Sequence, residues 1–204
     1  MNNSTKPKWD NRFPDGRPPK WLVDANPGLY PEWEIDPETT INCGAEPSLE
    51  WVRNISNIGE RSSVDEHLKM DPLVWSPALG ELYHSNRLIA GDRINGHDLL
   101  RELASRSVLE RAGRPVLNAN VMEWLLTHPD KIPEYWKWWA RRVFFFGTVY
   151  RDSSGDKFVR FMRRSEGHWN GQRWVEGHWI WDYEWLGNDA LTRQDAVAVL
   201  GRKR

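Results

Sequence analysis

Residues 177 to 185 read Gly-His-Trp-Ile-Trp-Asp-Tyr-Glu-Trp, so Trp179, Trp181, Tyr183 and Trp185 fall at every second position. Side chains of a β-strand alternate between two faces. The run therefore sets four large rings on one side of a sheet, with Ile180, Asp182 and Glu184 on the other. A helix would scatter the same rings around its circumference; only a strand gathers them. Such a face needs a cover, either the chain's own core or a partner.

A hairpin partner for this strand is visible. Asn170-Gly171 is the strongest hairpin signal in the chain, because both central residues of a type I′ turn need φ > 0. It joins a strand from Lys157 to about Trp169 with one from Gln172 to Leu186. A two-residue loop sets the register: Lys157 faces Glu184, Phe158 faces Tyr183, Arg160 faces Trp181 and Met162 faces Trp179. Arg163 then faces His178, and His168 faces Arg173. Arg160 over Trp181 is a cation–π contact in this arrangement. The β-branched and aromatic run from Val143 to Tyr150 supplies a further strand, and Gly147 within it marks a bulge or a close approach. Asp152 to Asp156 is the turn that follows. Glu166-Gly-His-Trp169 recurs as Glu176-Gly-His-Trp179, a local duplication that lengthens the hairpin, with too few copies for a solenoid.

The chain before this region reads differently. Eight of the thirteen prolines lie within residues 1–50, which neither a helix nor a central strand can traverse. Trp9, Phe13, Trp21, Tyr30 and Trp33 punctuate that segment, whereas disordered chains are aromatic-poor. The expectation is an extended arm that lies on another surface through its rings. Residues 51–115 read as a helical segment. Ser48 opens a short helix, Ser63 a second one with Asp65 and Glu66 in its first turn, and Ser76-Pro77 a third start. The firmest helix spans about 97–110, with Leu99, Leu100 and Leu103 on one face. Another covers about 119–128, capped by Asn118 or Asn120, with Val121, Met122, Leu125 and Leu126 as its inner stripe. Thr192 to Asp195 has capping-box-like spacing before Ala196-Val-Ala-Val-Leu200, which predicts a short terminal helix, with a strand as the alternative. The expected class is α+β. A Pro-rich extended arm (1–50) and a helical segment (51–115) precede a module of helix plus Trp-rich antiparallel meander of three or more strands (116–204).

Composition narrows the setting. The chain has 204 residues, a net charge of −1 and fourteen Trp. Residues 141–204 carry twelve Lys/Arg against eight Asp/Glu, a mildly basic stretch that ordinary surface charge explains. The single Cys43 has no partner for an internal disulfide and no Cys or His neighbour at metal-ligand spacing, which fits a reducing, cytoplasmic setting. The first residues show no apolar signal region, and no apolar run is long enough for a membrane span.

The C-terminal third resembles a family of uncharacterised bacterial proteins. The shared pattern runs from Val116–Leu126 through an Ile-Pro-Glu-x-Trp step at Ile132–Trp136 to Phe144-Phe-Phe-Gly-Thr-Val-Tyr-Arg-Asp152. It continues with Val159-Arg160, the Asn-Gly turn before Arg173-Trp174, the Trp-rich strand, Trp185-Leu-x-x-Asp189 and Ala196–Leu200. The likeness covers roughly residues 115–200. It departs from the pattern in the longer hairpin around the Glu-Gly-His-Trp repeat. It implies a fold and no activity, and the first 114 residues do not share it.

Candidate chemistry is sparse. His168 and His178 lie opposite arginines in the expected register, a poor cation site, and read as surface or interface residues. Asp182 and Glu184 share a strand face at glycosidase-like spacing, but alternating acids are ordinary on a solvent face. Trp136, Trp138 and Trp139 beside Arg141 and Arg142 suit a nucleic-acid or membrane-surface element. More often such a cluster is a sheet edge with Arg stacked on the rings. No Walker loop, Gly-x-Gly-x-x-Gly motif, nucleophile elbow or zinc signature is present. No catalytic residue, metal or cofactor is expected.

The leading reading is a non-enzymatic binding or assembly module whose partner is a protein, self or other. Its candidate binding residues are Trp179, Trp181, Tyr183, Trp185, Arg160, Trp169 and Trp174. A nucleic-acid-associated protein using Arg and Trp of the C-terminal module is the second reading, and a sugar-acting hydrolase the third.

Overall fold

A computed structural model describes residues 39–50, 62–105, 114–169 and 172–201 of the chain. Most of the predicted arm and most of the helix expected after Ser48 lie outside the described residues. At Ser48 itself the hydroxyl accepts the Glu50 N–H at 3.2 Å, as an N-cap does.

The core of the fold is a mixed sheet. Strand β7 (Lys157–Arg164) lies at its centre. The alternating aromatic run is strand β10 (Trp179–Trp185), antiparallel to β7 over its full length. β5 (Arg142–Phe144) and β6 (Thr148–Arg151) both pair antiparallel with β7. Since β10 occupies one edge of β7, these two share the other, as a single strand interrupted at residues 145–147. Gly147 is the reason the interruption can exist. Its N–H bonds Leu117 O at 3.1 Å, and a Cβ there would lie 2.8–2.9 Å from the Leu117 and Asn118 backbone. Both expectations for this glycine, bulge and close approach, hold together. The Asp152–Asp156 turn also forms: the Asp152 carboxylate accepts the Ser154 and Asp156 N–H groups, and Gly155 takes φ 92°.

Beyond β5 the sheet adds β11 (Asp195–Leu200) in parallel and then β4 (Gly80–Tyr83) antiparallel to β11; beyond β6 it adds β2 (Ser63–His67). Two of these strands replace expected helices. At β2, Asp65 and Glu66 resemble first-turn helix acids but serve as ion-pair partners across the sheet: Asp65 meets Arg151 and Lys157, and Glu66 meets Lys157. At β11, Thr192 and Asp195 do form a local cap, with the Asp195 carboxylate accepting the Thr192 N–H at 2.7 Å. That cap closes a turn, and the β-branched alternation of Ala196 to Leu200 then enters the gap between β5 and β4. The Ser76-Pro77 start yields only the single 3-10 turn Pro77–Leu79 before β4 begins. The segment read as helical thus contributes strands β2 and β4. It also holds β3 (Leu73–Val74), which pairs in a short ribbon with β1 (Thr40–Ile41) of the segment read as an arm, and, among its described residues, two helices.

Those helices are α1 (Asn86–Ala90), capped by Ser85, and α2 (Gly96–Ala104), capped by Asn95. α2 falls at the start of the firmest helix expected, about 97–110, but ends at Ala104 with Ser105 as its C-cap; Leu99 and Leu103 are buried as its inner face and Leu100 partly so. α3 (Ala119–Thr127) matches the second. The Asn118 side chain caps it, and Val121, Met122 and Leu125 face inward. The last helix, α4 (Trp136–Trp139), is one turn long. α3 lies across the β7–β10 face. There Val121, Met122 and Leu125 share a cluster with Phe145 and Met162, on which Trp179 and Trp181 pack. The opposite face packs Phe144, Phe161 and Val197 against Leu99 and Leu103 of α2.

The hairpin register differs from the expected one by two residues. Arg160 faces Tyr183 directly, Met162 faces Trp181 and Phe158 faces Trp185. The cause lies at the tip. β8 (His168–Trp169) pairs with β9 (Trp174–Val175) so that Trp169 faces Trp174, leaving a connection of residues 170–173 rather than two. A shift of two preserves the alternation, so every ring keeps its face. The expected histidine neighbours are lost: His178 faces Ser165 through backbone and side-chain hydrogen bonds, and His168 faces Val175.

Candidate aromatic binding face

The β10 row is half-buried. Trp179, Trp181, Tyr183 and Trp185 are all of intermediate exposure. Trp179 and Trp181 rest on the α3 cluster, while Tyr183 and Trp185 surround Phe158 in edge-to-face contacts with centroids 5.7 and 5.3 Å away. Arg160 is fully buried, and its guanidinium carbon lies 4.4 Å from the Trp181 ring centroid. The expected cation–π contact forms, as a diagonal neighbour rather than a directly facing pair. Arg160 also donates to Glu123 of α3 at 2.6 Å. Burial pushes the Glu123 carboxyl up, and Arg160 pulls it partway back. Burial likewise raises the Tyr150 phenol beside this pair, with Arg160 opposing. The charge inside the sheet is thus absorbed by helix, arginine and indole together. For Trp169 and Trp174 the backbone alone is described, paired at the end of the hairpin.

The other candidate side chains are held internally. Arg142 donates to Asp195, Glu184 and the Ala190 carbonyl, tying β5, β10 and the turn before β11. Its guanidinium lies over Phe144 and Phe161 and not over the neighbouring tryptophans, contrary to the stacked edge expected there. Glu184 is further bound by Asn188, and Asp182 by Arg163 and the Tyr183 N–H. Cys43 is a buried free thiol, pushed up to about 11 by burial. Among the described residues no cluster of three or more His, Cys, Asp and Glu is arranged to hold a metal ion, and no helix is long and apolar enough to cross a membrane.

Among the described residues, exposed aromatic surface concentrates at α4 instead. Successive helical residues turn by about 100°. Trp136 points inward and is fully buried against Phe145; Trp138, about 160° round the helix from it, faces away, and Trp139, about 60° from it, is nonetheless open. Trp138 is 78% and Trp139 69% exposed, and Tyr135 at the cap is 38% exposed. The bonds Leu117 N to Ala198 O and Leu200 N to Pro115 O direct alternate β11 residues away from β4. Val197 and Val199 therefore bond β4, and the backbone groups of Gly80 and Leu82 point to its open edge. The Tyr135 hydroxyl occupies that edge. It donates to Gly80 O at 2.6 Å, and its own oxygen accepts the Leu82 N–H. Between α4 and β4 lies a groove of about 510 Å³ lined by Glu81, Leu82, His84, Arg114, Tyr135 and Trp139. Glu81 and Arg114 form an ion pair at 2.7 Å within it. Burial holds His84 below the ordinary imidazole range, with the Asp195 carbonyl opposing. Glu81, Arg114 and Tyr135 escaped the sequence reading, since nothing in their local pattern marks them. The Trp138-Trp139 pair stands out in the sequence as a surface element or a sheet edge, and the structure sets it on a helical turn.

No family model, curated protein or solved structure matches this chain.

Proposed function

We propose that this chain is a non-enzymatic binding or assembly module that engages a protein, itself or another, through the aromatic turn at α4. The exposure of Trp138 and Trp139 carries this reading: two adjacent indoles, 78% and 69% open, with Tyr135 beside them. Large exposed aromatics are what interface cores are built from. The same stretch of chain carries the exposed ion pairs Asp130–Lys131 and Glu134–Lys137. The half-buried β10 row ranks second as a contact surface, because its rings already have internal neighbours. The engagement of Asp182 and Glu184 by basic partners speaks against hydrolysis at those residues. The pairing of Arg142, Arg160, Arg163 and Arg164 with carboxylates leaves little for phosphates, so the nucleic-acid reading follows behind.

A cytoplasmic setting belongs to the same proposal, supported by the single buried thiol. So does kinship with the bacterial family that the C-terminal third resembles. Its motif residues fall on consecutive elements from α3 to β11.

The test is a Trp138→Ala/Trp139→Ala double variant compared with the natural chain by light scattering and by capture of cross-linked partners. Loss of association with an unchanged melting curve is the expected result. A natural chain that stays strictly monomeric and retains no partner overturns the proposal.

A further inference from the structure

We propose that the groove between α4 and β4 binds a neutral pyranose sugar, with Trp139 as its stacking platform and the Glu81–Arg114 pair as its hydrogen-bonding wall. This rests on α4 being a binding face and names the ligand chemistry of its inner flank.

Three features of the groove select this chemistry. Its volume, about 510 Å³, falls within the range of small-ligand sites. One wall is aromatic: Trp139 stands open, and Tyr135 is anchored by its hydroxyl to Gly80 O. The lining also carries Glu81 and Arg114, each about a third exposed (33% and 35%) and paired with one another at 2.7 Å. A pyranose offers an apolar C–H face for stacking and a rim of hydroxyls, each both donor and acceptor. A carboxylate supplies acceptors and a guanidinium supplies donors, so the pair can satisfy adjacent hydroxyls in both senses.

Other occupants fit less well. An anion would meet an arginine whose charge Glu81 already neutralises. An extended peptide adding to the β4 edge would have to displace the Tyr135 hydroxyl from Gly80 O. A purely apolar group would cover the Glu81–Arg114 pair without replacing its hydration.

The experiment follows the tryptophan indole N–H signals of the full chain by heteronuclear NMR, with the Trp139 signal assigned from Trp139→Phe. The probes are maltotetraose, cellotetraose, mannotetraose and N-acetylchitotetraose, with inorganic phosphate as the anionic comparison. The expected result is a saturable shift of the Trp139 signal with at least one oligosaccharide at millimolar concentration. Followed through the backbone N–H signals of Glu81 and Leu82, Trp139→Ala should weaken that binding about tenfold, the scale of one lost ring stack. Trp139→Phe should retain most of it, and Glu81→Gln should weaken it while leaving the Trp136 signal in place. The absence of any saturable Trp139 shift with all four sugars overturns the proposal, as does a shift with phosphate alone. Association of the Trp138→Ala/Trp139→Ala variant is measured separately. Sugar binding can therefore fail while protein association stands, and the reverse.

Discussion

The molecule carries two tryptophan-rich segments, β10 and α4, and they meet opposite fates. On β10 the rings recur with the period of the strand, so all four share one face, where the α3 cluster takes Trp179 and Trp181 and Phe158 takes Tyr183 and Trp185. On α4 three tryptophans fall within four residues of a helical turn, so their directions diverge. Burying Trp136 against Phe145 turns Trp138 outward, while Trp139, on the Trp136 side of the turn, remains open. Aromatic content alone therefore says little about where a binding surface lies. What decides it is whether the spacing matches the period of the element that carries the rings.

Substitutions can break or sharpen this contrast, and the largest effect is expected at the inward member of α4. Trp136→Ala should lower stability by about 3–5 kcal/mol, the range for emptying a buried aromatic site. A loss below about 1 kcal/mol in urea unfolding would remove Trp136 from the core. Arg160→Ala, beneath the β10 row, should lose about 3 kcal/mol, the lower end for a broken buried pair, because Glu123 keeps partial exposure (17%). Chemical denaturation of the single and the Arg160→Met/Glu123→Gln double variant checks this, and the double variant should recover part of the loss. Trp181→Ala should fall between core and surface, at about 2 kcal/mol, from partial burial and the lost contact with Arg160.

A smaller effect is expected in the pH dependence. The Lys157 hydrogen bond holds Asp65 below the usual carboxylate range; burial opposes it and Arg151 adds to it. The contribution of Asp65 is therefore complete above the ordinary aspartate pKa, and it fades as pH falls through the depressed folded value. Asp65→Asn should flatten the acid limb of a melting-temperature profile. Glu123 has the opposite sign: its raised folded pKa favours folding below the ordinary glutamate value, and that contribution is lost as pH rises through the raised value. The smallest effect is expected for Trp138→Ala and Trp139→Ala, within about 0.5 kcal/mol of the natural chain by thermal unfolding. A loss comparable to that of Trp136 would mean that these rings are structural after all.

Local patterns carried a good part of the fold. The Asn118 cap and the inner stripe of α3 are continuous in sequence, so they were legible there. The same holds for Leu99 and Leu103 of α2, the Gly147 interruption and the Asp152 turn. β2 and β11 were not, because their helix-start signals are local while the partners that outweigh them are remote. Asp65 meets Arg151 and Lys157, and Ala196 to Leu200 enters between β5 and β4. The hairpin register failed on loop length, yet Arg160 still reached Trp181 because a shift of two preserves the face. The groove was invisible for a similar reason. Glu81, Arg114 and Tyr135 are far apart in the chain, and each is unremarkable until the sheet brings them together.

By itself the sequence determined which face each β10 ring occupies, since alternation is a property of the backbone that any register with the same parity respects. It also determined the class, α+β with a tryptophan-rich antiparallel meander. Only the tertiary structure decided how deeply those rings are covered, because burial depends on where α3 crosses the sheet. It alone placed the open tryptophans on α4, because a one-turn helix can bury one side and the packing of Trp136 chose which.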